Sequence, residues 1–138
     1  MLDIIFRRLM EKDITTFESD RYFTMFDFKI SLGQLLLRSQ KTDNSSNVDI
    51  IFMSTSYVQL PIRLHGIHIK KLNEVEINRL KLANLIQNSK YDNVFEVTSN
   101  KGEKYYVIAS AFAVFENDLA FHETSLGGDL TGKEKRIQ

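Results

Sequence analysis

From Val48 to Ser54 the chain is apolar at nearly every position, broken only by Asp49, with polar residues on both sides. A short apolar run between turn residues predicts a strand covered on both faces. Tyr57 to Leu60 reads as a second short strand or an edge segment. Pro61, the one proline, has no N–H to give to a ladder, so it belongs at an edge, a bulge or a strand end. Gly66 suits a tight bend or a positive φ. Beyond it Ile67 and Ile69 alternate with His68 and Lys70, which places the isoleucines inward.

The rest of the chain is arranged around this stretch. Leu2, Ile5, Phe6, Leu9 and Met10 recur at spacings of three and four, predicting an N-terminal amphipathic helix over one face of a sheet. Tyr22 to Ile30 alternates as a strong strand, with Tyr22, Thr24, Phe26, Phe28 and Ile30 on one face. Leu35 to Arg38 gives another strand, and residues 41–47 form a polar loop. A 3.6-residue period over 74–88, opened by Asn73 and Glu76 as a capping box, predicts a helix there. The last third reads as a meander: strands at 94–99, 104–110, 111–116 and 119–123, with a hairpin turn at Asn100-Lys101-Gly102. Uninterrupted alternation along 105–115 would put Ala109, Ala111 and Ala113 on one face, a shallow bed for a helix. The expected fold is therefore a single α+β domain over 1–126. It is mainly an antiparallel β-sheet, curled as a sandwich or partial barrel, with the N-terminal helix and the helix near 74–88 on it. Residues 127–138 turn to glycine and charge and predict a flexible tail.

Composition narrows the function classes. The 138 residues are 43% hydrophobic and 26% charged, which argues for one folded domain and against disorder. With no cysteine, disulfides, thiolate metal sites and cysteine nucleophiles are excluded. No run reaches membrane-span length and the start lacks the layout of a signal peptide, so no membrane partner and a cytoplasmic location are expected. Net charge is zero, but 48–90 carry six Lys/Arg against three Asp/Glu, while 91–126 carry two against six. A nucleic-acid groove needs a larger and clustered basic excess, so no nucleic-acid partner is expected.

Candidate chemistry is sparse. Gly127 to Lys133 fits the letters of a phosphate-binding loop, but Glu134 stands where Ser or Thr would hold magnesium. His65 and His68 flank Gly66 at a strand entry, and only His122 remains as a third imidazole; zinc needs three or four converging ligands. No G-x-S-x-G elbow places a serine nucleophile. The residues thus assign no catalytic, cofactor or metal site, and a binding role is favoured over an enzyme.

The order GQLLLRS, polar loop, VDIIFMSTSYVQLP, LHGIHI, helix, YYVIASAFAVFEN and TSL, from Gly33 to Leu126, resembles small uncharacterised bacterial proteins. Some of those sit among the immunity proteins that neutralise secreted polymorphic toxins. The resemblance implies a non-catalytic protein-binding module, an immunity-type inhibitor, and carries over no functional residue. Because nucleases are basic, an inhibitor of one needs an acidic face. Glu116, Asp118 and Glu123 in the acidic last third are the candidate partner-binding residues, with a basic toxin domain as partner; a merely solvated acidic edge is the plainer reading. The alternative is a small-molecule-binding barrel or cone, possibly an enzyme, whose pocket is lined by Tyr22, Phe26 and Phe28.

Overall fold

Fourteen residues, Thr16–Lys29, form the longest strand, β1. It pairs with β5 (Arg63–Lys71) along its first half and with β2 (Gln34–Ser39) along its second. Register shifts between Ser19 and Tyr22 and between Met25 and Asp27 bend it from one neighbour to the other. The computed structural model describes residues 14–126 and 134–138; the expected N-terminal helix and the Gly127–Lys133 motif lie outside them.

The other strands are β3 (Asn47–Met53), β4 (Tyr57–Gln59), β6 (Asn93–Thr98), β7 (Lys104–Ala109), β8 (Ala111–Asn117) and β9 (Glu134–Arg136). All nine form one antiparallel sheet in the order β4-β7-β6-β5-β1-β2-β3-β8-β9. The protein is a single α+β domain dominated by this sheet. β7 and β8 are halves of one segment bent at Ser110, so hydrogen bonding runs in a ring through β1, β2, β3, β8/β7, β6 and β5. Four strand steps separate β3 from β6, about 19 Å in a flat sheet. Yet the rings of Phe52 and Phe95 are 5.7 Å apart, so the sheet is curled over on itself.

Every strand of the ring sends side chains inside: Phe23, Leu35 and Leu37, Ile50 and Phe52, Leu64 and Ile67, Phe95, Val107, Phe112 and Val114 among them. Phe52, Phe95 and Phe112 form a contact triangle, with Phe95 edge-on to both others or nearly so. Two smaller clusters lie on the outer face. One joins Leu36, Ile51, Met53, Ala113 and Phe115 to Leu126. The other joins Leu72, Val94 and Ile108 to Ile77, Leu82, Leu85 and Ile86, the segment that follows β5.

Several expectations need correction. The inward face of β1 is that of Phe23 and Met25, whereas Tyr22 is 66% and Phe28 48% exposed. Alternation breaks at Ser110: Val107 and Ala109 face the core before it, Phe112 and Val114 after it. The alanines therefore share no bed. The Ser110 N–H and hydroxyl both donate to the Met53 carbonyl, which fixes the bend. The helix expected at 74–88 is shorter, α1 at Glu74–Arg79, followed by a 3-10 turn at Ala83–Leu85. Its capping box is present: Asn73 Oδ1 accepts from the Glu76 N–H, and Glu76 Oε1 accepts from the Asn73 N–H. It stops because the chain turns at Lys81, φ +58°. The Glu76 carboxylate also takes Lys70 Nζ at 2.6 Å. That bond, with the Asn73 N–H second, holds Glu76 below the usual carboxylate range. Residues 119–123 form no strand. Of the expected tail, Glu134–Arg136 pair with β8 as β9, and Ile137 packs against the core.

The aromatic triangle makes a testable contrast. Phe112→Ala should cost about 3–5 kcal/mol in chemical denaturation, since it empties a fully enclosed site. Val75→Ala, on a side chain 73% exposed, should stay within about 0.5 kcal/mol. Equal losses would refute the placement of the core.

Candidate functional site

Polar and exposed features gather in three places. The first is the outer surface where β1 meets β5. Tyr22 and His65, Cα partners across the two strands, stack face to face with centroids 3.9 Å apart and planes 9° apart. Just before Tyr22, Arg21 reaches across to the 39–46 loop. Its guanidinium donates to Ser39 Oγ (2.9 Å), the Gln40 carbonyl (3.1 Å) and the Ser46 carbonyl (2.8 Å). Those bonds hold the loop against β1 and leave a groove of about 340 Å³ beside Tyr22, with Thr24 and Thr42 on its walls.

On the other side of the stack lies a second groove, of about 240 Å³, between the start of β5 and the β6–β7 hairpin. Gly66 makes it. At φ +73° it adopts a conformation that L side chains rarely take, and a Cβ there would stand 1.8 Å from Asn100 Oδ1. Without that side chain the hairpin tip reaches β5, and the Asn100 N–H donates to the His65 carbonyl at 2.9 Å. Arg63 and Leu64 line one wall, Ser99 and Tyr105 the other. Partial burial, with the neighbouring Glu103 carboxylate second, pushes the Tyr105 hydroxyl above its ordinary value.

The third place is a buried polar network on the outer face of β2, β3 and β8. Arg38 and Asp49 form a two-bonded ion pair at 2.7 and 2.8 Å, with neither side chain exposed. The third Arg38 nitrogen donates to the Glu123 carbonyl, and the guanidinium lies 4.2 Å from the Phe26 ring centroid. Asn117 Nδ2 donates to Asp49 at 2.8 Å, and Asn47 Nδ2 donates to Asn117 Oδ1 and the Leu119 carbonyl. Lys41 Nζ donates to the Asp118 carbonyl and Thr124 Oγ1 to Asp27. The segment 118–126 is thus irregular in backbone but tied at four points.

This network locates the three candidate acids. Asp118 and Glu123 are exposed on the tied segment, and the Glu123 carboxylate accepts from the Ala120 N–H at 2.8 Å. Glu116 lies on β8 opposite Lys135 of β9, and alternation puts it on the side of Val114, away from Asn117. Asp118 and Glu123 thus share a segment, while Glu116 points from the other face of the strand. Of the aromatic candidates, Tyr22 lines a groove, Phe28 is half exposed and Phe26 packs under Arg38. His65 and His68 are separated by the bend at Gly66; His68 contacts Thr16 and His65 stacks on Tyr22. Among the described residues, no three His, Asp or Glu side chains are grouped to hold a metal ion. No helix among them is long and apolar enough to cross a membrane.

Sequence reasoning missed the Arg38–Asp49 network. Its signal is a charge closing the run Leu35-Leu36-Leu37 and another inside the run 48–53, on consecutive strands. No family model, curated protein or solved structure matches the chain.

Two predictions follow from these sites. Arg38→Met should cost about 3–5 kcal/mol, because it leaves a buried carboxylate unpaired. The pair Arg38→Met with Asp49→Leu should cost less than either alone, leaving a deficit of about 1–3 kcal/mol for the unmet Asn117 and Glu123 groups. Strictly additive losses in urea denaturation would refute the coupling. Gly66→Ala should destabilise by about 2 kcal/mol or more, from the left-handed backbone and the Asn100 clash. A neutral result would mean that the hairpin does not close on β5.

Proposed function

We propose that this chain is a non-catalytic cytoplasmic module that binds another protein, in the manner of an inhibitor of a basic toxin domain. The observation that carries this reading is the filled interior. Phe52, Phe95 and Phe112, each fully buried, occupy the space inside the curled sheet where a ligand-binding barrel keeps its cavity. Recognition then falls to the outer surface. Asp118 and Glu123 stand on backbone whose carbonyls are held by Lys41 and Arg38. A fixed frame lowers the ordering cost of association. Carboxylates presented this way, with Glu116 on the neighbouring strand, supply the field that steers a basic partner.

The test compares wild type with the triple variant Glu116→Gln, Asp118→Asn, Glu123→Gln. Its melting temperature should stay near wild type, since all three side chains are at least partly exposed. Affinity capture from the source cells should recover a basic protein with the wild type. Association with that protein should slow by about tenfold in the triple variant at low salt and by less at high salt. Unchanged rate and salt dependence would sink the acidic-face reading. Capture of a small molecule and no protein would sink the binding module itself.

A further inference from the structure

β5 and β6 are paired from His68↔Thr98 to Lys71↔Phe95 and part beyond His68. The groove at this parting is lined on facing walls by Leu64 and Tyr105, both of which pack against the central core. Two cations line it, Arg63 from β5 and Lys101 from the hairpin tip, both exposed. Neither has a carboxylate partner among the described residues. The groove has one acid, Glu103, whose carboxylate lies near the Tyr105 hydroxyl. Ser99 also lines the groove, and its hydroxyl oxygen is buried with no hydrogen-bond partner among the described residues. The groove's 240 Å³ equals about eight water volumes at roughly 30 Å³ each.

We propose that this groove is a binding site for a carboxylate carried on a small apolar body. The apolar part lies against Leu64 and Tyr105, and the carboxylate takes charge-assisted hydrogen bonds from Arg63 and Lys101. Two cations against one acid give the lining its positive balance, and the apolar surface of Leu64 and Tyr105 selects against a bare inorganic anion. The groove and the acidic residues sit at opposite ends of the β7–β8 segment, so this site stands or falls without the acidic-face reading.

The chemistry has two sources, a free organic acid or the C-terminal carboxylate of a partner chain, and the experiment separates them. Uniformly labelled protein is titrated with 3-phenylpropionate, with 3-phenylpropanamide, and with a hexapeptide ending in phenylalanine as its free acid or its amide. Amide signals of 62–65 and 99–105 should shift with an acid and hardly with the matching amide. A response to 3-phenylpropionate identifies the free-acid source, and a response to the peptide acid alone identifies a chain terminus. Arg63→Gln with Lys101→Gln should keep the melting temperature and weaken binding about tenfold, as expected for losing two exposed charge contacts. The proposal is overturned if neither acid shifts these signals, if the amides bind as well as the acids, or if the double variant binds as wild type does.

Discussion

Arg38 and Asp49 face each other across β2 and β3 with no exposure of either side chain. Removing two charges from water is expensive, and the pair persists only because its hydrogen-bonding capacity is used. Arg38 spends its donors on Asp49 and the Glu123 carbonyl and lays its plane on Phe26; Asp49 takes a further bond from Asn117. A slip of one residue between β2 and β3 would carry Arg38 to the core face beside Leu35 and Leu37, where nothing answers its charge. The pair therefore acts less as a source of stability than as a register lock. The same donors decide where 118–126 runs, which no backbone pairing does.

That register is passed on through β3. The strand is paired on both edges, to β2 and to β8, so fixing Asp49 against Arg38 also fixes Val114 and Phe112 against Ile50 and Phe52. At its end, the Met53 carbonyl receives both donors of Ser110. There the β8/β7 segment changes the face it turns inward and crosses to the other half of the sheet. Phe112 then meets Phe95 of β6 across the interior. A buried charge on the outer face and an aromatic triangle inside thus enforce the same alignment, and agreement between levels marks a sequence with one structure.

Much of this was legible along the chain, because alternation is a local signal. The strands expected at 48–54, 67–70, 94–99 and 104–110, met by Asn47–Met53, Arg63–Lys71, Asn93–Thr98 and Lys104–Ala109, and the capping box at Asn73 and Glu76 follow from residues within reach of one another. What could not be read depends on contacts distant in sequence. Both faces of 22–28 are apolar enough to be core, and only the curl of the sheet chooses Phe23 and Met25. The face change at Ser110 requires the Met53 carbonyl, 57 positions away. Periodicity continues past Arg79, but the left-handed turn at Lys81 ends α1 regardless. Arg38 and Asp49 were visible as charges in apolar runs, though not as partners. The Tyr22–His65 stack and the groove beyond it join residues from β1, β5 and the β6–β7 hairpin, and no spacing announces them.

Beneath the zero net charge, the two proposed surfaces would work over different distances. Asp118 and Glu123 project from a fixed backbone with exposed carboxylates, that of Glu123 held by the Ala120 N–H. Charges of that kind act through their field, which raises encounter rates and fades within a Debye length of about 8 Å at physiological salt. Arg63 and Lys101 line a groove with Leu64 and Tyr105, where a ligand would be held by contact. Contact of that kind governs how long a complex lasts. Salt should therefore weaken the first surface chiefly through association and touch the second much less. The structural supports differ in the same way: a network of buried charge places the acids, while one glycine, Gly66, lets the hairpin close the groove. The two proposed surfaces thus rest on separate supports, so substitution at one leaves the support of the other in place.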